Sequence, residues 1–375
     1  MEAGDWLLDL IAAGGRQLSV RSEKSAEVRM GVGYDRPRRP GQNASPDNNA
    51  SISSDEYTIM ITSRYLRVIL ATTLTLFSSL ALAAPQGWSR LLEASELSAI
   101  LQSAPQVRVL HVTGDYAAGH IPGAVAAPYP QFRGPQENPG QLRDVSELTA
   151  TVQTLGISAD TPVVVVHQGS NASDFGAAAR VYWTMKSLGV QDLAILNGGF
   201  AAWTGANLPS STEASTVAAS SFAPQWSNDW RATTEEIEAL VAEGSARLID
   251  ARPQTFFEGL QASSGRPGTI RGAGNLAFET FFEGSRVKPL AQVSSILASY
   301  PQQSAPMTVS FCNTGHQAAV NWFIMSELQN VPNTRLYAES MTEWSLADRP
   351  MDNQPSRLKH YWQMTTDWVG TLFGA

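Results

Sequence analysis

One cysteine, Cys312, stands in 375 residues, so no intrachain disulfide can form. Histidine is almost as scarce: five residues, scattered, none at metal-ligand spacing with cysteine or carboxylates. No metal and no cofactor is therefore expected. There is no long basic run, and the net charge of −8 argues against a nucleic-acid partner. Apolar residues are not lacking. At 43% they are ample for packed cores, and the length suggests two domains plus extensions.

Residues 1–59 differ from the rest. They are rich in Gly, Ser, Asn and Arg, and Arg36 to Ser54 reads as disorder. A short basic segment, Met60 to Arg67, then precedes the uncharged apolar run Val68 to Leu82, and Ala81-Leu82-Ala83 offers small residues for cleavage. Basic, apolar, small is the order of a secretory signal peptide, here residues 60–83. Translation is thus expected to begin at Met60, with 1–59 an artefact of start-site choice. The protein would be periplasmic or secreted, without stable membrane association once cleaved. An uncleaved anchor is the alternative, although the apolar core is shorter than the ~20 residues of a membrane span. No cysteine follows the apolar run, which excludes lipoprotein processing.

Residues 88–209 alternate strands with helices: strands at Val107 to Val112, Pro162 to His167 and Leu193 to Leu196, helices at Val145 to Leu155 and Phe175 to Leu188. Such alternation implies a parallel sheet covered on both faces. Residues 210–228, rich in Ser, Ala and Thr, read as a linker. Residues 229–350 repeat the plan. Thr233 and Glu236 form a capping box, Arg247 to Asp250 is a strand, Pro289 opens a helix, and Met307 to Phe311 is a second strand. The repetition reads as an internal duplication. Residues 351–375 carry a C-terminal amphipathic helix, Ser356 to Leu372, expected to pack on the protein's own domains or else to meet a partner or a membrane surface.

Cys312 falls between the strand 307–311 and a helix whose apolar residues, Val320, Phe323, Ile324 and Leu328, recur at helical spacing. A cysteine in that turn sits near the positive end of the helix dipole and near unpaired backbone N–H groups, a setting that favours thiolate over thiol. The plainer reading is a free cysteine buried as a small apolar residue. Its place beyond the strand, where α/β sheets hold their ligands, favours function. So does its expected compartment, where a solitary thiol invites oxidation.

Several stretches together resemble a known family. The first unit has Gly119-His-Ile-Pro-Gly-Ala124 and Leu196-Asn-Gly-Gly-Phe-Ala-Ala-Trp203. The second has Leu248-Ile-Asp-Ala-Arg252, Gly268-Thr-Ile-Arg-Gly-Ala273, Cys312-Asn-Thr-Gly-His-Gln317 and Leu336-Tyr-Ala-Glu-Ser-Met-Thr-Glu-Trp344. Their order resembles that of the tandem-domain rhodaneses, thiosulfate or 3-mercaptopyruvate sulfurtransferases, over roughly residues 88–350. The resemblance implies an α/β fold of two rhodanese-like domains, each a mainly parallel sheet with helices on both faces. The first domain has Gln168 to Asp174 where an active loop would be and no cysteine, so it resembles the non-catalytic half of such enzymes. Thr269, Arg271, Ala338 and Glu339 depart from the family's usual residues, and Asn313 to Gln317 matches neither donor pattern.

The implied chemistry is covalent: a persulfide on Cys312, loaded by a small anionic donor such as thiosulfate and discharged to cyanide or a thiol. Asn313, Thr314, Gly315, His316 and Gln317 would cradle the anion, with Gly315 allowing the tight curve. By family position Arg271 and Arg252 would attract the donor. The alternatives are a solvated Arg271 and an Arg252 paired with Asp250 or Glu343. Asp250, Ser340 and Glu343 would orient the loop, or Ser340 and Glu343 would cap the short helix that follows. His120 is expected to hold its own loop.

Of three rival readings, the first fails on one residue and two are open. A cysteine phosphatase needs an arginine six residues after the cysteine, and that position is Ala318. A thiol hydrolase needs a histidine base on the thiol. A non-enzymatic sulfur carrier would pass persulfide to one partner protein.

Overall fold

The computed structural model describes residues 84–263, 265–300 and 305–355. The signal-peptide segment and the C-terminal helix lie outside the described residues. Among the described residues no helix is long and apolar enough to cross a membrane.

In the first domain the chain runs β1 (Leu91–Leu92), α1 (Ala94–Ser103), β2 (Arg108–His111), β3 (Val125–Ala126), α2 (Val145–Thr154), β4 (Val163–Val166), α3 (Ala172–Ser187), β5 (Leu193–Leu196) and α4 (Gly199–Gly205). The sheet order is β1-β5-β4-β2-β3, all parallel. Its middle strand is the run of four valines, every one buried, as expected of a strand covered on both faces.

The second domain runs α5 (Thr234–Glu243), β6 (Arg247–Asp250), α6 (Gln254–Phe257), β7 (Thr269–Ile270), β8 (Gly274–Asn275), β9 (Phe282–Glu283), β10 (Arg286–Val287), α7 (Leu290–Ser299), β11 (Thr308–Phe311), α8 (Gln317–Trp322), β12 (Thr334–Leu336), α9 (Ser340–Trp344) and β13 (Met351–Asp352). Its parallel sheet has the order β12-β11-β6-β8, and Arg231 adds a parallel bridge to Leu336 where β1 lies in the first domain. The capping box at Thr233 and Glu236 is present on α5. The helix after the cysteine is α-helical only to Trp322 and then widens into a π-helix over Phe323–Leu328.

The duplication extends to the loops. His111 lies opposite Val166 as Asp250 lies opposite Phe311, so His167 leaves its strand where Cys312 leaves its own. Phe200 N–H donates to the His167 carbonyl (2.7 Å), and Met341 N–H to the Cys312 carbonyl (3.0 Å). Gly199 (φ 61°) and Ser340 (φ 55°) turn the chain into the left-handed region at the matching point.

Helix α3 explains how the domains join. Thirteen of its sixteen residues are buried, so it has no solvent face and must be covered by both domains. It packs against α8. Phe175 meets Phe282 and Phe323 edge-on, and Tyr182 meets Phe323 likewise. One hydrophobic cluster therefore runs through both domains. Residues 210–228 do not form a free tether. Val217, Phe222 and Trp226 pack on the core, Gln153 donates to the Phe222 carbonyl (2.7 Å), and Trp226 meets Trp183. His120 does hold this region. Its ring stacks on Tyr116, and its two nitrogens lie against the carbonyls of Tyr116 (2.7 Å) and Glu213 (3.0 Å).

Candidate active site

Cys312 is buried at the end of β11, in the cluster shared by both domains. Its backbone is fixed on both sides. Its N–H donates to Ser340 Oγ (3.1 Å), and its carbonyl accepts from Met341. Ser340 Oγ in turn donates to the Tyr337 carbonyl (2.7 Å). The Asn313 carbonyl accepts from Thr342 N–H (2.9 Å) and Thr342 Oγ1 (2.8 Å). The loop is thus clamped by the start of α9 while its own amides stay available. Among the described residues no protein acceptor meets the backbone N–H of Asn313, Thr314, Gly315 or His316. Gly315 has φ 67°, and a side chain there would collide with the Ala338 carbonyl and with Arg180. Thr314 and Gln317 are part-exposed, and their side chains bond to nothing among the described residues.

The first domain's matching loop is closed by its own carboxylate. Asp174 accepts from Gly169 N–H (2.7 Å), Ser170 N–H (3.2 Å) and Thr113 Oγ1 (2.6 Å), with His167 Nδ1 at 3.3 Å. Burial works to raise its pKa, but the hydrogen bonds from His167 and Thr113 outweigh it and hold the carboxyl below the usual range. This loop has histidine in place of cysteine and its own carboxylate in the cradle.

Under the Cys312 loop runs a buried chain of charge. Arg252 gives Nε and Nη2 to Asp250 (2.9 and 2.6 Å), Nη2 also to the Gly268 carbonyl (2.8 Å), and Nη1 to Asn313 Oδ1 (3.2 Å). Thr269 donates to Asp250 (2.8 Å). Arg252 therefore supports the loop through Asn313, as one partner of an ion pair with both members buried. Glu343 accepts from Thr234 Oγ1, which ties α9 to α5. Arg271 is not brought to the thiol. Its side chain is 60% exposed, faces Asp352 at 3.8 Å, and borders a surface hollow with Leu240 and Val241.

The cations that do face the loop come from the first domain, and sequence reading missed them. Arg180, on α3, is 1% exposed. One Nη donates to the Gly140 carbonyl (3.1 Å), while Nη1 and Nε have no partner among the described residues. Arg133 is also buried, with Nη1 unpartnered among the described residues, and stacks over Tyr129. Burial, then neighbouring Arg133, lowers the Arg180 pKa to about 10, against the opposing pull of Tyr129, Glu339 and Cys312. It stays charged at neutral pH. Buried guanidinium N–H groups left unpaired are costly, and an anion beside Cys312 would satisfy them. The one sequence signal was Arg180 itself, the lone charge within the run Phe175 to Met185.

His316 carries no charge to the thiol. Its Nε2 lies 2.8 Å from the Ser173 carbonyl and its Nδ1 2.8 Å from Tyr129 Oη. Burial first, then Arg133, lowers its pKa to about 4. Among the described residues no imidazole bonds to Cys312, so the thiol-hydrolase reading lacks its base. Position 318 is a buried alanine, so the phosphatase reading lacks its arginine.

The chain is a two-domain α/β protein with one cradled thiol and a second loop of the same plan that has histidine in the cysteine's place. Comparison with known proteins gives the family. The profile of the rhodanese-like domain matches residues 93–206 and again 233–347, and the chain belongs to the rhodanese family. It is similar to the thiosulfate sulfurtransferase of Corynebacterium glutamicum (29% identity, 68% of this chain, 87% of that one). It is also similar to the 3-mercaptopyruvate sulfurtransferase of Escherichia coli strain K12 (27% identity, 64% and 86%). Among solved structures, a 3-mercaptopyruvate sulfotransferase of Escherichia coli has a TM-score of 0.60 at 21% identity, covering 67% of this chain and 98% of that one. An anaerobic ergothioneine biosynthesis enzyme from Chlorobium limicola reaches 0.63 at 21% identity, covering 71% of each. These two show the shared fold. With its family and relatives, the chain is a sulfurtransferase.

Proposed function

We propose that the protein moves a sulfane sulfur from a small anionic donor, thiosulfate foremost, through a persulfide on Cys312 to cyanide or a thiol. The observation that carries this reading is buried Arg180, whose Nη1, unpaired among the described residues, lies against Gly315 of a thiol loop with unengaged amides, with buried Arg133 near His316. The Cys312 thiolate attacks the outer sulfur of thiosulfate. The S–S bond of the donor breaks, and sulfite leaves with the electron pair. The terminal persulfide sulfur, still anionic, rests against the amides of 313–316 and the Arg180 guanidinium. Cyanide then attacks that sulfur, thiocyanate leaves, and the thiolate returns.

Steady-state rates with thiosulfate and cyanide varied together should give parallel double-reciprocal lines, the mark of a covalent intermediate. Intersecting lines would count against it. Arg180→Met should lower kcat/KM for thiosulfate by about a hundredfold, the scale of losing a charge-assisted contact in a dry site. Higher kcat/KM with 3-mercaptopyruvate than with thiosulfate would replace the donor and keep the mechanism.

The protein is also proposed to act outside the cytoplasm, on the basic, apolar and small-residue order of 60–83. Exported protein should begin at Ala84. A peptide from residues 1–59 in the native protein would contradict this.

A further inference from the structure

We infer that His316 is a positioning residue that works only as the neutral imidazole, latching the Cys312 loop to the first domain. Four observations meet at the ring. Nε2 lies against the Ser173 carbonyl (2.8 Å), with Ser173 Oγ at 3.3 Å. Nδ1 lies against Tyr129 Oη (2.8 Å). A carbonyl can only accept, so Nε2 carries the hydrogen, and Nδ1 is left to accept from the phenol. Imidazolium would face the phenol oxygen with a second N–H and break the pattern.

The fourth observation is Gly176. It lies inside α3, where glycine costs roughly 1 kcal/mol relative to alanine. A Cβ there would lie 2.9 Å from His316 Nε2, 3.1 Å from Cδ2 and 3.1 Å from the His316 carbonyl oxygen. The glycine makes a notch that the histidine fills. Ser173, Gly176 and Tyr129 all belong to the domain without a nucleophile, so that domain shapes the loop of the other.

The charged and titratable groups around the ring favour the neutral form. Arg133 stands beside Tyr129, and Arg180 and Asp174 stand on α3. The two arginines oppose protonation of His316, and Asp174 favours it. The ring has no free nitrogen to offer a donor. Its effect on chemistry therefore passes through the loop: it fixes His316, hence the curve at Gly315 and the direction of the amides beside Cys312.

The kinetic part of the test rests on the proposed persulfide chemistry; the spectroscopic part does not. Histidine side-chain nitrogen NMR of the wild-type protein should show His316 as the Nε2–H tautomer, with no titration between pH 5 and 8. A resonance titrating near the ordinary value of about 6.5 would overturn the inference. His316→Ala should lower kcat for persulfide loading by about a hundredfold, the scale of a misplaced reacting group, with KM for thiosulfate little changed. His316→Gln, whose amide offers one donor and one acceptor, should recover most of that loss. Gly176→Ala should reproduce the loss without altering the loop's own sequence. A raised KM with kcat intact in His316→Ala would make the residue a donor-binding group, and unchanged kinetics would remove its role. If the wild-type protein loads no sulfur from any donor, the function proposed above fails, and the tautomer still decides the latch.

Discussion

Ser340 shows what one residue can carry here. It is fully buried, has φ 55°, accepts the Cys312 N–H and donates to the Tyr337 carbonyl. A non-glycine residue in the left-handed region costs roughly 1 kcal/mol, so the hydroxyl must give back more than glycine would save. Ser340→Ala keeps the strain and orphans a buried N–H, and should destabilise by about 2–3 kcal/mol. Ser340→Gly relieves the strain and should cost less. Urea denaturation of the two variants checks the order, and a more stable alanine variant would contradict it. The residues local to Cys312 were legible because a strand, a tight loop and a helix are consecutive in the chain. Ser340, 28 positions away, was legible only as a candidate, since its sign of φ cannot be read from its name.

At the scale of elements, the loop 312–316 differs from its copy 167–171 by what fills the cradle. Asp174 supplies an internal anion in the first domain, whereas the second domain leaves four amides without a protein acceptor among the described residues. Gly315→Ala should empty the second cradle of function, because the new Cβ meets the Ala338 carbonyl and Arg180 in a left-handed turn. Sulfur loading should fall by at least about a hundredfold. Loading at the wild-type rate would show that the loop does not need this curve. Arg180 and Arg133 escaped sequence reading for physical reasons. Helix α3 is buried on nearly every side, so periodicity does not say which domain covers Arg180, and Arg133 follows a single 3-10 turn that has no periodicity to read. Arg271, placed at the site by family position, instead faces Asp352 on the surface.

On the scale of the whole molecule, Glu327 holds the domains together. It is 3% exposed, accepts from Tyr182 Oη (2.8 Å) and Lys186 Nζ (3.1 Å), and has Arg90 Nε at 3.4 Å, all from the first domain. Glu327→Ala should destabilise by about 3–5 kcal/mol, since it strips partners from a buried ionic network, and the calorimetric transition should broaden as the domains uncouple. A single sharp transition at the wild-type temperature would contradict this. Acid should act on the same assembly. His316, lowered to about 4, and His111, lowered by burial, are both less basic folded than unfolded. The unfolded chain therefore binds more protons as pH falls below about 6.5, and stability is lost from there downward, by at most about 1.4 kcal/mol per pH unit for each histidine. Asp174 adds to the loss only at still lower pH, because its folded carboxyl resists protonation. Midpoints of urea unfolding that stay level between pH 7 and 4.5 would contradict the assignment.

The two-domain plan was legible from repeated alternation of strands and helices. The interface was not, because it depends on which sides of α3 and α8 meet, and the chemistry proposed here would lie at that interface. The measurement that tests the central claim most directly is the intact mass of the protein before and after thiosulfate, with Cys312→Ser beside it. A gain of about 32 Da on the wild-type chain, removed by cyanide and absent from the serine variant, is the result expected of a nucleophilic cysteine. No gain with thiosulfate, 3-mercaptopyruvate or a persulfide donor, or a gain that survives the loss of Cys312, would contradict the account.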